Sequence, residues 1–344
     1  MFEAVDYQHD TPTTGGLGRL RGDGWSAFAK VVQSFRHWAR WPHLPPDARA
    51  ALATRAAWRQ EVDLYQSDLG LLLPPGLRLP AVRGVVDLGD ERLLLVLEDV
   101  AVDPEPWDVG RFASAARLIG RLHVRLTAAD HLPWRSFGHP SEMVDVMYTS
   151  RLLPVALPQL DADATWRHPL LAAERHLRTD LAELARRLPA LLDSVTALPQ
   201  VRGHGDATPH NLLVPRDAPD TFVIIDWAMA SLGAVGDDLG QLLIGLAHDG
   251  VLAAADLSPL HEVLIGSYRD GLADEGLDVE EDAVRAGFDI GLTVRSAFTA
   301  LPVERLAEPR SEHLDALLAR RIDLTRYLVD IGLEASSRRA VLLR

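Results

Sequence analysis

Two short apolar segments interrupt a long stretch of helical sequence pattern, and polar residues suited to phosphate chemistry lie at their ends. The first segment, Asn211–Val214, follows a loop that contains Asp206. The second segment, Phe222–Ile225, leads directly into Asp226. Because a short connection that contains proline separates them, we expect the two segments to pair as a β-hairpin. Such a hairpin brings Asn211 and Asp226 close together and limits the folds that the helical part can adopt.

Two carboxylates and an amide are the groups that phosphoryl transfer requires. A carboxylate such as Asp206 orients an attacking hydroxyl, and oxygen ligands such as those of Asn211 and Asp226 hold Mg²⁺. The spacing of Asp206 and Asn211 alone is common by chance. It becomes specific together with the preceding His204-Gly205 and the apolar segment that ends at Asp226. We therefore predict that the three residues converge in a site for phosphoryl transfer.

The distribution of strand and helix patterns predicts an α+β fold with two lobes. Residues 1–100 contain strand patterns punctuated by glycine, such as Trp25–Val32, and a helical segment from Asp47 to about Leu69. In residues 101–344 the pattern is mainly helical. Its clearest apolar series consists of Leu177, Leu181, Leu184, Leu188 and Leu191. We expect a small β-rich lobe that binds nucleotide and a larger helical lobe for catalysis and substrate, with a boundary near Glu98–Pro104.

Composition and charge exclude several classes of protein. The chain has no cysteine, so it has no disulfide and no thiolate metal site. Its formal net charge of −14 disfavours binding to nucleic acid. No apolar run approaches the roughly 20 residues of a membrane helix, and the N-terminus lacks the pattern of a signal peptide. These features predict a cytoplasmic protein that binds neither nucleic acid nor membrane.

The sequence around these polar residues resembles the aminoglycoside phosphotransferase and choline kinase family, which is related to the protein kinases. His204–Leu213 resembles the catalytic loop of that family, His-Gly-Asp-x-x-x-x-Asn. Ile225-Asp226-Trp227 resembles its metal-binding segment, and Gly236–Gly240 is similar to the Asp-Leu-Ala stretch that follows. The resemblance implies a bilobal, protein-kinase-like fold and an enzyme that uses ATP or GTP as phosphate donor with Mg²⁺.

The resemblance also implies roles for individual residues of the large lobe. Asp206 is implied as the catalytic residue that orients the acceptor hydroxyl, and Asn211 and Asp226 as the ligands of Mg²⁺. His204 and Asp238 are implied as structural braces of the loop. A departure from the family pattern is His210, which we do not expect to bind metal because Mg²⁺ prefers oxygen ligands.

In the small lobe, the resemblance implies a lysine that holds the phosphates and a glutamate that positions it. Lys30, in the predicted strand Trp25–Val32, is the only lysine of the chain. Since arginine does not replace a compact ammonium group, we expect Lys30 to have a chemical role. Glu61 resembles the partner glutamate, and Asp63 is its rival.

Two further segments are candidates for nucleotide binding. The glycine-dense segment Thr13–Gly18 is predicted to be a loop, whose backbone amides at Gly16 and Gly18 would cover the phosphates. The segment Glu98–Val100 resembles the hinge between the lobes, where the backbone of Glu98 and Val100 would bind the base of the nucleotide.

The residue before Asp206 bears on the class of acceptor. Protein kinases that are regulated by phosphorylation have an arginine there, whereas this chain has Gly205. The segment after Asp226 is also short, so we expect a small hydroxylated substrate, such as an aminoglycoside or another antibiotic. The alternatives are a metabolic kinase for a sugar, a choline-like alcohol or an amino alcohol, and a pseudokinase that binds nucleotide without transferring phosphate.

The charge that the acceptor carries stays open at this stage. Acidic residues cluster in the C-terminal part, and they would suit an amine or form an ordinary solvated helix end. They are Asp274, Glu275, Asp278, Glu280, Glu281 and Asp282. Three arginines nearby, Arg295, Arg305 and Arg310, would equally suit a carboxylated or phosphorylated substrate.

Overall fold

The N-terminal part of the computed structural model, which describes residues 1–5, 11–55, 57–134 and 139–342, is built around an antiparallel sheet. In chain order the strands are β1 (Phe2–Ala4), β2 (Thr14–Gly22), β3 (Trp25–Gln33), β4 (Leu77–Arg78), β5 (Val82–Gly89), β6 (Arg92–Glu98), β7 (Gln200–Gly203), β8 (Leu212–Leu213), β9 (Phe222–Ile224) and β10 (Ser231–Ala234). The N-terminal sheet has the order β1-β2-β3-β6-β5. Alternate residues of β6 are buried, as the two-residue period of a strand requires.

Helices form most of the remaining chain. They are α1 (Pro46–Arg55), α2 (Gln60–Tyr65), α3 (Leu69–Leu72), α4 (Val109–Thr127), α5 (Glu142–Met147), α6 (Leu157–Asp161), α7 (Asp163–Trp166), α8 (Arg175–Ala197), α9 (Asp238–His248), α10 (Leu257–Asp274), α11 (Glu281–Leu292) and α12 (Glu312–Leu342). The predicted α+β class with a β-rich part and a mainly helical part is thus confirmed. None of the described helices combines the length and apolar character needed to cross a membrane.

Helices α4 and α8 bury the apolar faces that their periodicity predicts. The five leucines of the α8 series are each at most 4% exposed. Helix α4 packs closely on α10 because glycines lie at the contact. A Cβ atom on Gly120 would lie 2.3 Å from the carbonyl oxygen of Tyr268, and one on Gly271 would lie 2.0 Å from that of Arg117. This contact fixes α4 near His123, which contacts the carboxylate of Asp238 at the start of α9.

The hairpin at the centre of the helical part forms as expected. β8 and β9 pair antiparallel, with Leu212 opposite Ile224. β4 then adds a parallel neighbour to β9, so a piece of the first hundred residues joins this sheet. β6 ends at Glu98 and the chain crosses to the same sheet, where Val102 forms a bridge with Pro215. This short crossover lies within the segment Glu98–Pro104.

Several local predictions were wrong. The glycine-dense segment Thr13–Gly18 is not a loop, because β2 begins at Thr14 and pairs with β3 through a bulge between Thr14 and Gly16. The predicted helix from Asp47 to Leu69 is broken into α1, α2 and the start of α3. The sequence pattern also missed β7 and β10, which pair with each other and are too short for alternation to be visible.

Candidate active site

The ammonium group of Lys30 lies between two carboxylates that come from distant parts of the chain. Its Nζ is 2.8 Å from Oε2 of Glu61 on α2 and 2.9 Å from Oδ1 of Asp226 after β9. Lys30 is only 6% exposed. Burial alone would lower the pKa of Lys30, but the charges of Asp226 and Glu61 raise it overall, so the lysine stays protonated. The rival Asp63 forms an ion pair with Arg59 instead.

The hairpin brings Asp206, Asn211 and Asp226 to one place. The side-chain amide nitrogen of Asn211 donates to the backbone carbonyl of Asp206 at 2.8 Å and to its Oδ2 at 3.0 Å. The amide oxygen of Asn211 is therefore the atom available to a metal. The backbone of Asp226 is left-handed, with φ of 63°, and this turns its carboxylate towards Lys30 at the end of β9.

A buried hydrogen-bond network holds the loop that begins at His204 in shape. Asp238, at the start of α9, accepts hydrogen bonds from the backbone amides of His204 and Gly205, both at 2.8 Å. His123 of α4 bonds the same carboxylate at 2.9 Å and contacts the hydroxyl of Tyr268 at 2.8 Å through its other nitrogen. Burial would raise the pKa of Asp238, but the hydrogen bond with His123 and nearby positive charge hold it at about 2.

Gly205 is required by the geometry of the loop. Its φ is 78°, in the left-handed region that side chains rarely adopt. A Cβ atom there would also lie 2.0 Å from the carbonyl oxygen of Met229. There is thus no room for a side chain before Asp206. This is a second reason why no arginine stands there, besides the class of acceptor.

The other residues predicted to bind nucleotide lie on β2 and at the end of β6. Gly16 faces open space, whereas a Cβ atom on Gly18 would lie 2.2 Å from the ring of Phe2. The backbone amide of Glu98 donates to the carbonyl of Ala81, so it is not available to a base. The backbone of Val100 has no hydrogen-bond partner within the described ranges, so its amide and carbonyl are available.

The oxygen atoms of Asn211 and Asp226 fit a magnesium ion, since Mg²⁺ is commonly held by one or two carboxylates together with phosphate oxygens and water. His210 takes no part in this pair, because its Nε2 contacts Asp249 at 2.6 Å on the exposed side of the loop. The described part of the chain has no cluster of three or more His, Cys, Asp or Glu side chains that would hold a metal by themselves.

Arg295 also lies at the site, although the spacing of the sequence motifs gave no reason to expect it there. It lies in the helical turn Thr293–Ala297 after α11, and its side chain is 8% exposed. Its Nη1 donates to the carbonyl of Gly205 at 2.5 Å, and its Nη2 is 3.6 Å from Oδ1 of Asp206. Burial raises the pKa of Asp206, and the charge of Arg295 opposes that rise. The sequence singled out this arginine only as a charge near the C-terminus.

Five of the other eight charged candidates for acceptor binding have partners elsewhere. Arg305 pairs with Glu308 and Arg310 with Asp315, all close in the chain. Three of the six acidic residues pair with arginines on α4, α10 and α11. These pairs are Asp274 with Arg117, Glu275 with Arg121 and Arg125, and Glu281 with Arg269 and Arg285.

Residues 102–258, which include the catalytic loop, Asp226 and Asp238, match the sequence profile of a family described as the phosphotransferase enzyme family. No curated protein matches the chain at a significant level. An amicoumacin kinase solved with AMP-PNP, Ca²⁺ and Ami has a similar fold, with a TM-score of 0.55, 13% identity, and coverage of 97% of this chain and 88% of that chain.

An aminoglycoside phosphotransferase from Alicyclobacillus acidocaldarius is similar to the same degree. The TM-score is 0.53 at 16% identity, and the alignment covers 97% of this chain and 93% of that chain. At these identities the solved structures establish the fold alone. The resemblance inferred from the motifs is confirmed: residues 102–258 carry the sequence pattern of the phosphotransferase enzyme family, and the chain as a whole has the protein-kinase-like fold of these enzymes.

Proposed function

We propose that this protein is a kinase that transfers the γ-phosphate of ATP or GTP to a hydroxyl group of a small molecule with the help of Mg²⁺. The observation that carries the proposal is the position of Lys30, which joins Glu61 of the small lobe to Asp226 beside the catalytic loop at 2.8 and 2.9 Å. This contact unites a phosphate-binding cation with a metal-binding carboxylate, as kinases require.

Each residue of the site has one task in the proposed reaction. Lys30 binds the phosphates of the nucleotide, and Glu61 holds the lysine in position. Asn211 and Asp226 hold Mg²⁺, which neutralises charge on the phosphates when it is bound. The backbone of Val100 contacts the base, and the strand segment at Gly16 and Gly18 covers the phosphates.

The chemical step needs little more than positioning and electrostatics. Asp206 orients the acceptor hydroxyl and takes its proton as the bond between the acceptor oxygen and the γ-phosphorus forms. The bond between the γ-phosphorus and the bridging oxygen breaks, so that the nucleoside diphosphate leaves. Asn211 keeps the carboxylate of Asp206 in place through the contact of 3.0 Å to Oδ2.

The acceptor is small because the segment between Asp226 and Asp238 leaves little length for binding a peptide. The names of the similar structures, an amicoumacin kinase and an aminoglycoside phosphotransferase, support antibiotic modification as the first candidate role. A metabolic kinase is the second, and Arg295 beside Asp206 favours it over an enzyme for a polycation. Both roles suit the cytoplasm, where nucleotide and Mg²⁺ are available.

The test is a nucleotide-consumption assay with purified protein, Mg²⁺ and pooled aminoglycosides, other antibiotics, sugars, amino alcohols and hydroxy acids. We expect consumption that depends on one pool and is lost in the Asp206→Asn variant. Nucleotide binding without consumption in every pool would instead identify a pseudokinase. The complete set of Lys30, Asp206, Asn211 and Asp226 argues against that outcome.

A further inference from the structure

Arginine side chains lie on the proposed acceptor side of the site, although the whole chain has a formal net charge of −14. Arg295 lies beside Asp206, with 3.6 Å between the guanidinium and the carboxylate. A second arginine, Arg151, is close enough to Arg295 for the two charges to repel each other. It lies in the helical turn Tyr148–Ala156 that continues α5, and α5 packs against the segment that carries Arg295.

Arg151 has the surroundings of a side chain that lines a cleft. It is exposed to solvent, yet enough protein surrounds it for desolvation to lower the pKa of its guanidinium. Within the described ranges it makes no hydrogen bond or ion pair. The charge of Glu304 opposes the lowering of its pKa by burial, but Glu304 is not within ion-pair distance. Its donors are therefore available to a ligand.

A third arginine, Arg321 of α12, has a neighbour in common with Arg151, because the pKa of His248 is lowered by burial and by the charges of both arginines. It contacts Nδ1 of His248, and its buried Nε has no hydrogen-bond partner in the part of the chain that the structure describes. Burial lowers the pKa of Arg321, and the charges of Asp249 and Glu304 oppose that change. Glu304 acts on Arg151 in the same way. Of the three guanidinium groups, only that of Arg295 has a carboxylate within ion-pair distance among the described residues, at Asp206.

Three of the six carboxylates that would suit an amine are already paired with arginine. Asp274 is held by two hydrogen bonds from Arg117 at 2.7 and 2.8 Å, and Glu275 by Arg121 and Arg125 at 2.9 and 2.8 Å. Glu281 pairs with Arg269 and Arg285. Because such paired groups offer little net field, an amine gains little from them. Of the acidic and basic residues between which the sequence left the choice open, Arg295 is the one beside Asp206.

We propose that Arg151, Arg295 and Arg321, the acceptor arginines, bind a negatively charged group of the acceptor while its hydroxyl faces Asp206. The inference rests on the proposed kinase function and names its substrate class as a hydroxylated carboxylate or phosphate ester. The planar fork of guanidinium donors matches both of these anions, whereas a polycationic aminoglycoside is repelled.

The experiment is a calorimetric titration of the full chain, loaded with Mg²⁺ and AMP-PNP, with four sugars of one ring skeleton. Glucuronate supplies a carboxylate, glucose 6-phosphate a phosphate, glucose no charge, and glucosamine an amine. We expect at least one anionic sugar to bind about tenfold more tightly than glucose, the effect of one charged hydrogen bond, and glucosamine to bind no better than glucose. The stronger anion distinguishes a carboxylate from a phosphate acceptor.

Two variants test whether Arg151 causes the preference for the anionic sugar. Arg151→Gln is expected to remove most of the preference for the anionic sugar, and Arg305→Gln, whose arginine pairs with Glu308 on the surface, is the matched control that keeps it. Tighter binding of glucosamine, equal binding of all four sugars, or an unchanged preference in Arg151→Gln overturns the inference.

The same titrations separate this inference from the kinase proposal. If AMP-PNP with Mg²⁺ does not bind, the kinase proposal fails at its nucleotide site. The sugars are then titrated into the wild-type chain without nucleotide. An anion preference that persists there and disappears with Arg151→Gln still assigns the anion to the acceptor arginines, and its absence still rejects them.

Discussion

The nucleotide side and the acceptor side of the proposed site differ in how completely their positively charged side chains are paired with carboxylates. On the nucleotide side, Lys30 is enclosed by Glu61 and Asp226, so its charge is matched within the protein. On the acceptor side, Arg295 contacts one carbonyl and approaches one carboxylate, and Arg151 has no partner among the described residues. The cation on the nucleotide side is thus held by ion pairs within the protein. On the acceptor side, the guanidinium donors of Arg151 are available to a ligand.

The largest effect is expected for Asp206→Asn, because the residue serves both sides. The amide keeps the size of the side chain but accepts no proton, so we expect turnover to fall by a factor of about 10²–10⁴. The affinity for AMP-PNP should stay close to that of the wild type. Single-turnover phosphotransfer and nucleotide titration measure the two quantities. Wild-type turnover in this variant would remove Asp206 from the catalytic role.

Replacing Lys30 tests whether the nucleotide side depends on its internal ion pairs. Lys30→Met leaves the buried carboxylate of Glu61, which is 2% exposed, without its cation. We expect the free energy of unfolding to drop by about 3–5 kcal/mol and nucleotide use to be impaired. Urea unfolding and kcat/KM for nucleotide are the measurements.

A second substitution separates stability from function on that side. The double variant Lys30→Met, Glu61→Gln removes the unpaired charge and should recover much of the stability but none of the nucleotide use. Asp63→Asn, at the neighbouring carboxylate that pairs with Arg59, is the control that should leave nucleotide use nearly unchanged. Equal losses of nucleotide use in Lys30→Met and Asp63→Asn would mean that the pair of Lys30 and Glu61 has no special role in nucleotide binding.

On the acceptor side, Arg295→Gln is expected to lower kcat by roughly tenfold to a hundredfold, the effect of losing a charged hydrogen bond to the catalytic loop. KM for the nucleotide should not change, since Lys30 and Asp226 are untouched. Arg295→Lys should recover part of the activity, because it keeps the charge but lacks the second nitrogen that reaches Gly205. A fall in nucleotide affinity with unchanged kcat would contradict the assignment of Arg295 to the acceptor side.

The smallest effect concerns Asp237, a buried carboxyl near Arg295. Its Oδ1 has no hydrogen-bond partner within the described residues, and burial raises its pKa from 3.8 to about 6. The folded state then holds the proton more tightly than the unfolded state. Its contribution to stability is therefore lost as the pH rises from about 3.8 to about 6 and stays lost above that range.

Asp237→Asn removes this pH dependence. We expect the variant to match the wild type near pH 4 and to exceed its free energy of unfolding by up to about 3 kcal/mol near pH 7. Urea titrations at several pH values check the sign. A variant that loses stability as the pH falls, or that is less stable than the wild type at pH 7, would show that Asp237 is favoured in its charged form.

Local sequence pattern was a reliable guide where the contacts are short in range. The α8 leucines, the strands β3 and β6 and the β8–β9 hairpin follow from periodicity and turn residues, and the structure has all of them. Glycine content misled at β2, because Gly15, Gly16 and Gly18 read as a loop although pairing with β3 makes them a strand. β7 and β10 could not be predicted, since four residues are too few for alternation to be read.

The sequence by itself determined the fold class and the residues Lys30, Asp206, Asn211 and Asp226 as candidates, because strand and helix periods and the hairpin spacing act over a few residues. Only the tertiary structure decided that Lys30 meets Asp226, which is 196 residues away, and that Arg295 meets Gly205, which is 90 residues away. It also decided which charges are paired: Asp274, Glu275 and Glu281 have arginine partners, whereas Arg151 has no carboxylate partner among the described residues. Such pairings depend on how helices far apart in the chain pack together, and no local pattern carries that information.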